Sequence, residues 1–152
     1  MVKIYLDDVR TPIESGWIVV RNYEEFCKAV SEVGLENIEI ISLDHDLGYT
    51  AMTEYYSNAK PNSVIDYNNI QEMTGMDCSK YIVHRSMDTG VPLPLVVVHS
   101  ANPIGAHNMA GYINNYLKNC KLPQTCIIRP IPHTYIDVMT DEERMEKYTK
   151  KQ

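Results

Sequence analysis

The chain has 152 residues, 44% of them hydrophobic and 22% charged, and a net charge of -6. That is one domain's worth of chain with enough apolar side chain for a single core, which excludes a disordered polymer. The acidic balance argues against a broad grip on duplex DNA or an anionic membrane surface, though not against a phosphate held at one point.

Four cysteines, Cys27, Cys78, Cys120 and Cys126, form no CxxC pair and no zinc-like rhythm, so they read as buried free thiols. Charged residues arrive at once in place of a secretory leader, and no apolar run approaches the roughly 18 residues of a membrane span. The expected setting is a reducing cytoplasm.

In chain order, Val2–Leu6 is a short β-rich run that ends at Asp7-Asp8. Pro12 then stops any extension of Val9-Arg10-Thr11. Trp17–Arg21 reads as a second strand. Asn22 caps a helix with Glu25 three residues on, and Phe26, Ala29, Val30 and Val33 make its apolar face before Gly34 ends it. Glu39–Leu43 is a third strand. Residues 49–73 carry tyrosines and asparagines with little apolar periodicity, and a connection that long reads as an insertion able to act as a lid. Thr74-Gly75-Met76-Asp77 opens a helix with Cys78, Tyr81 and Ile82 inward. Leu95–Val98 is a fourth strand. Asn102-Pro103 caps another helix, whose core face is Ala106, Met109, Ala110, Ile113 and Leu117. Thr125–Ile128 is a fifth strand, and a solvated helix is expected at about 140–150, with Thr140 and Glu143 as its capping box. Strands and helices alternate, which predicts a single α/β domain over 1–152 with a five-stranded, mostly parallel sheet. Between the first two strands there is hardly room for a helix, so that first helix is expected to be shortened or missing.

Three apolar runs deliver polar groups at their carboxyl ends: Asp7-Asp8, then Asp44-His45-Asp46, then His99-Ser100. In a parallel sheet, chemistry collects beyond those ends. Two carboxylates about 4 Å apart repel by roughly 4 kcal/mol at an effective dielectric of 20, so Asp7, Asp8 and Asp44 together call for a cation or a shared proton. Oxygen ligands fit Mg²⁺, while adding His45 or His99 favours Mn²⁺ or Zn²⁺. His45 and His99 are candidate general acid and base. Ser100 is a donor to a phosphate oxygen, the helix N-terminus at Asn102 is an anion seat, and Arg129 is placed for bidentate phosphate binding. Each has a plain alternative. Asp7 or Asp8 can cap a turn, Asp46 can cap the turn at Gly48, His99 can be a satisfied structural group, and Arg129 can be a surface arginine. His84, His107 and His133 lack comparable context.

The paired acids, Asp44 and Ser100 resemble the response-regulator receiver fold, in which two acids and an acceptor aspartate bind Mg²⁺. A closer resemblance is to its divergent branch, the cyclic-phosphate-processing receiver-like domains. It is carried by Leu6-Asp7-Asp8-Val9-Arg10-Thr11-Pro12, Ser42-Leu43-Asp44-His45-Asp46-Leu47-Gly48, Thr74-Gly75-Met76-Asp77 and His99-Ser100-Ala101-Asn102-Pro103-Ile104-Gly105-Ala106-His107-Asn108-Met109. The resemblance implies a receiver-like (flavodoxin-like) three-layer fold. It implies a phosphoesterase for cyclic or terminal phosphates of RNA or nucleotides, in RNA repair or conflict systems. On that reading Asp7, Asp8 and Asp44 hold Mg²⁺ or Mn²⁺, and Asp44, His45 and His99 carry the chemistry. Arg10, Asp46, Ser100, Asn102, Asn108 and Arg129 then contact phosphate or substrate. The rival reading is a non-catalytic phospho-signalling or nucleotide-sequestering module. Arg129 stands where receivers carry lysine, which weakens phosphorelay signalling.

Overall fold

The computed structural model describes residues 1–48, 50–53, 64–70 and 72–136. The apolar runs form β1 (Val2–Leu6), β3 (Trp17–Val20), β4 (Ile38–Leu43), β5 (Leu95–Val98) and β6 (Ile127–Ile128), with β2 (Arg10–Pro12) and β7 (Thr134–Ile136) outside them. The first five make one parallel sheet in the order β3-β1-β4-β5-β6. Counting only its own strands, that is 2-1-3-4-5, the order of flavodoxin-like folds.

Among the described residues the long helices are α1 (Tyr23–Val33), α2 (Gly75–Thr89) and α3 (Pro103–Asn119). Their starts are chemically specified. The Asn22 side chain accepts from the Glu25 amide, Thr74 and Asp77 form a reciprocal capping box, and the Asn102 side chain accepts from the Gly105 amide. α1 packs on α2 and α2 on α3. Phe26, Val30, Cys78, Ile82, Ala106, Met109, Ile113 and Leu117 meet Ile4, Leu6, Ile41, Leu43, Val96 and Val98 in one core. Alternate residues of β1, β4 and β5 make that face of the sheet, as the two-residue strand period requires.

Several expectations are corrected. The run before Pro12 does stop at the proline, but it is itself a strand: Arg10–Pro12 forms β2, which pairs antiparallel with β7, Pro12 opposite Thr134. A two-stranded ribbon tolerates proline because no second neighbour needs its missing N–H. This ribbon stands where the first helix of a receiver-like fold would run. The strand expected from Thr125 is Ile127–Ile128 only. Cys120 is exposed at the end of α3, while Cys78 and Cys126 are buried and all four cysteines are free. Within the insertion, residues 50–53 are helical and Tyr67–Asn69 form a 3-10 turn. The helix expected at about 140–150 lies outside the described residues. Among the described residues no helix is long and apolar enough to cross a membrane.

Candidate functional site

Register assembles the site. Tyr5 pairs with Ser42 and Ser42 with Val97, a row across β1, β4 and β5. Two residues further along each strand, on the same face, come Asp7, Asp44 and His99. The ladder continues past the strand ends: the Asp7 amide donates to Val20 O, Asp44 to Leu6 O, His99 to Leu43 O and Arg129 to Val98 O, at 2.8–3.1 Å. Residues distant in sequence therefore meet along one rim.

Asp7 is fully buried and heavily partnered. Its Oδ1 accepts from the Val9 and Arg10 amides at 3.0 and 2.8 Å. Its Oδ2 lies 3.2 Å from His99 Nε2 and 3.5 Å from the Arg10 guanidinium. Burial alone would raise its pKa, but the hydrogen bonds from His99 and from the two amides carry it below the ordinary carboxylate value. Asp44 behaves oppositely. It is buried, accepts from the His45 amide at 2.8 Å, and is pushed well above its ordinary value by burial and then by Asp7, Asp8 and Asp46. Arg10 offsets only part of that. One carboxylate oxygen from each of Asp7, Asp8 and Asp44 lies within 4.8 Å of the others, and neither histidine joins the group.

His99 reaches from β5 over β4 to β1. Its Nδ1 lies 2.7 Å from Ser42 Oγ, its ring stacks on Tyr5 with centroids 4.2 Å apart, and its Nε2 meets Asp7. Ionised Asp7 can only accept, so Nε2 carries the proton and Ser42 donates to Nδ1. Burial lowers the His99 pKa, opposed by Asp7, which keeps the ring neutral. Tyr5 Oη is buried with no hydrogen-bond partner among the described residues. Burial and the charges of Asp7 and Asp44 hold its proton firmly.

His45, also buried, is turned the other way. Its Nδ1 lies 2.6 Å from Asp46 Oδ1, and its Nε2 lies 2.9 Å from Tyr67 Oη in the 3-10 turn. Asn102, besides capping α3, donates to Asp46 at 3.1 Å. Two glycines make room. The Gly75 amide donates to His45 O at 2.9 Å, and a Cβ there would overlap the Asp44 carbonyl oxygen. A Cβ on Gly105 would overlap the His45 ring.

Asp7, Asp8, Asp44 and Arg10 thus share one cluster, with His99 bonded into it. His45, Asp46 and Asn102 form a second, beside it through Asp44. Ser100 is partly exposed and its Oγ accepts from the Asn102 amide at 3.0 Å. Asn108 is exposed and donates to Tyr67 Oη at 3.2 Å. Arg129 sits on the rim, exposed, and no ion pair ties it to the acids among the described residues.

Two participants went unread in the sequence. Arg21, first residue after β3, donates to Asp7 O at 3.2 Å, Arg10 O at 2.7 Å and Thr11 Oγ1 at 2.6 Å, tying the ribbon to the rim. The rule that singled out Asp7, Asp44 and His99 applies to it equally. Tyr67 lay among many tyrosines of the insertion, with no local signal to distinguish it.

A five-stranded parallel sheet in 2-1-3-4-5 order, with acids at the tips of its first and central strands, defines a receiver-like α/β domain. Residues 2–115 match the family model of the cyclic-phosphate processing receiver domain, and the chain belongs to that family. Comparisons with curated proteins and with solved structures found no match.

Proposed function

We propose that the domain is a phosphoesterase acting on a cyclic or terminal phosphate of a nucleotide or RNA. The observation that carries this reading is the convergence of three buried carboxylates within 4.8 Å, beside the capped N-terminus of α3. The donor set is all oxygen, which suits Mg²⁺ or Mn²⁺ better than Zn²⁺. The orphaned Tyr5 hydroxyl, close enough to feel Asp7 and Asp44, is a further oxygen for a cation or its water. Asp7, Asp8 and Asp44 would hold the ion. When bound, it neutralises charge developing on the phosphoryl oxygens.

The chain's own groups divide the remaining work. Arg10, Ser100 and the amides opening α3 orient the phosphate, with Arg129 as an outer cation. His99 acts through Asp7, which it keeps ionised and aimed. His45, with both ring nitrogens engaged, acts through Tyr67, so a proton destined for a leaving oxygen is held at Tyr67 Oη. The raised pKa of Tyr67, caused first by burial, keeps that phenol protonated.

A panel of cyclic and terminal phosphates, assayed with Mg²⁺, with Mn²⁺ and with chelator, tests the reading. Asp44→Asn and His99→Ala are each expected to cut hydrolysis by about 100-fold or more. One observation favours a second reading: Asp44 stands at the tip of the central strand facing paired acids, the acceptor position of a receiver. That reading requires a covalent, base-labile phosphoryl adduct on Asp44 that survives His99→Ala. Ligand-induced thermal stabilisation without product or adduct would leave only a binding module.

A further inference from the structure

A cavity of about 820 Å³ lies over the seam between α2 and α3. None of the three carboxylates lines it; its connection to them runs through Tyr67, whose hydroxyl meets His45, the neighbour of Asp44 in the chain. Met76 and Lys80 line it from α2, and Asn108, Gly111 and Tyr112 from α3. On α3 the spacing i, i+3, i+4 puts these residues on one face. Tyr67 Oη joins the two regions, 2.9 Å from His45 Nε2 and 3.2 Å from Asn108 Nδ2.

Gly111 is the informative residue. Glycine is a poor helix former, and this one sits near the middle of a 17-residue helix. Elsewhere in the fold a tight neighbour explains a helical glycine, as at Gly75 and Gly105. A Cβ at Gly111 would meet no atom of the described residues within 4 Å. The gap opens into the cavity, so the bare backbone leaves room for a ligand to lie against α3.

We infer that this groove receives the nucleoside portion of the phosphoester, its base lying on Gly111 between Tyr112 and Met76, with the phosphate reaching past Tyr67 to the carboxylates. The inference rests on the phosphoesterase reading and names the alcohol portion of its ester. With a 2′,3′-cyclic phosphate, water forms one P–O bond as one ribose P–O bond breaks, and the product is a nucleoside monophosphate. The cavity falls within the 300–1,000 Å³ of small-molecule sites. A flat heterocycle can use the aromatic and thioether surfaces of the lining for its faces and the amides of Asn108 and Asn115 for its edges, with Glu72, Asp77 and Lys80 lining the same cavity. A bare alkyl phosphate would leave those amides unused.

The test fills the groove from its open side. Gly111→Trp adds bulk on the cavity side of α3, and Asn115→Trp, from an exposed position on the same face, guards against a helix defect in the first variant. With adenosine 2′,3′-cyclic phosphate and glycerol 1,2-cyclic phosphate as substrates, each variant is expected to raise the KM ratio of nucleoside to glycerol substrate about tenfold or more. An unchanged ratio in both variants would overturn the inference while leaving the phosphoesterase reading intact. If neither these substrates nor the terminal phosphates of the panel are turned over, that reading fails, and binding still decides the groove. Adenosine 2′,3′-cyclic phosphate should raise the Tm of the unmodified chain and not that of Gly111→Trp. No shift in the unmodified chain, or equal shifts in both, overturns it.

Discussion

His99 Nε2 and Asp7 Oδ2, 92 positions apart in the chain, lie 3.2 Å from each other with both residues out of contact with solvent. The pair makes the rim sensitive to pH in two separate windows. The folded pKa of His99 is lowered, so the unfolded chain takes up a proton near pH 6.5 before the native state does. Its stabilising contribution is present above about pH 6.5 and is lost as pH falls below that. The pKa of Asp7 is lowered too, so its contribution disappears only at more acid pH, as pH falls through its folded value. His99→Gln should lower stability by about 1–3 kcal/mol, the cost of leaving buried partners poorly paired. It should also flatten the fall of the urea-midpoint profile as pH drops below about 6.5. An identical slope in both proteins would show that His99 is not buried neutral.

Asp44 has the opposite sign. Its folded pKa is raised, so the native state keeps a proton that the unfolded chain has released. Stability therefore falls as pH rises from about 3.9, the ordinary aspartate value, to the folded value, and stays lower beyond it. In chelator at neutral pH, Asp44→Asn should stabilise the chain by about 2 kcal/mol, half the repulsion of one close carboxylate pair, because Arg10 already offsets part of it. Mg²⁺ should reverse the order. At a hundred times its Kd the ion would stabilise the unmodified chain by about 2.7 kcal/mol and the variant hardly at all. Equal Mg²⁺ shifts in both, measured by thermal unfolding, would remove the metal from the proposed mechanism.

The acids and histidines of the rim were legible because strand tips announce themselves: an apolar run breaks abruptly into Asp-Asp, Asp-His-Asp or His-Ser. Caps at Asn22, Thr74 and Asn102 were legible because side-chain acceptors there answer to amides two or three residues away. What could not be read depends on distant pairing. The partner of Arg10–Pro12 is Thr134–Ile136, more than a hundred residues on, and nothing in the proline signals it. Tyr67 owes its place to His45 and Asn108 rather than to its neighbours in the chain. The groove is built from helix faces whose mixed residues look merely solvated, so Asn108 stood out only through the family resemblance and Gly111 not at all.

Tyr67→Phe separates a structural His45 from a working one. The substitution removes a hydroxyl 2.9 Å from His45 Nε2 but keeps the edge-on ring contact, with centroids 5.7 Å apart. The hydroxyl is only partly buried, so stability should change by less than about 1 kcal/mol. Hydrolysis should fall about 100-fold if the proton passes through this phenol. Full turnover by Tyr67→Phe would confine His45 and Asp46 to holding the start of α3.

Three glycines in helices predict three outcomes from the same added methyl. At Gly75 the new Cβ would run into the Asp44 carbonyl oxygen, and the Gly75 amide is pinned to His45 O at 2.9 Å, so backbone must move. Overpacking of that kind costs about 1–3 kcal/mol, more than alanine's helix preference returns at a first-turn position. At Gly105 the obstacle is the buried His45 ring, a side chain rather than backbone, so Gly105→Ala should cost somewhat less stability than Gly75→Ala but part the ring from Asp46 and Tyr67 and lower turnover. At Gly111 no atom of the described residues lies within 4 Å of the added methyl, and the helix preference gives a gain of about 0.5–1 kcal/mol. Urea midpoints should therefore rank Gly75→Ala lowest, then Gly105→Ala, the unmodified chain and Gly111→Ala. Unmodified stability in Gly75→Ala would mean that α2 does not seat its first turn on the Asp44 backbone, and the placement of His45 between two helix N-termini would fall with it.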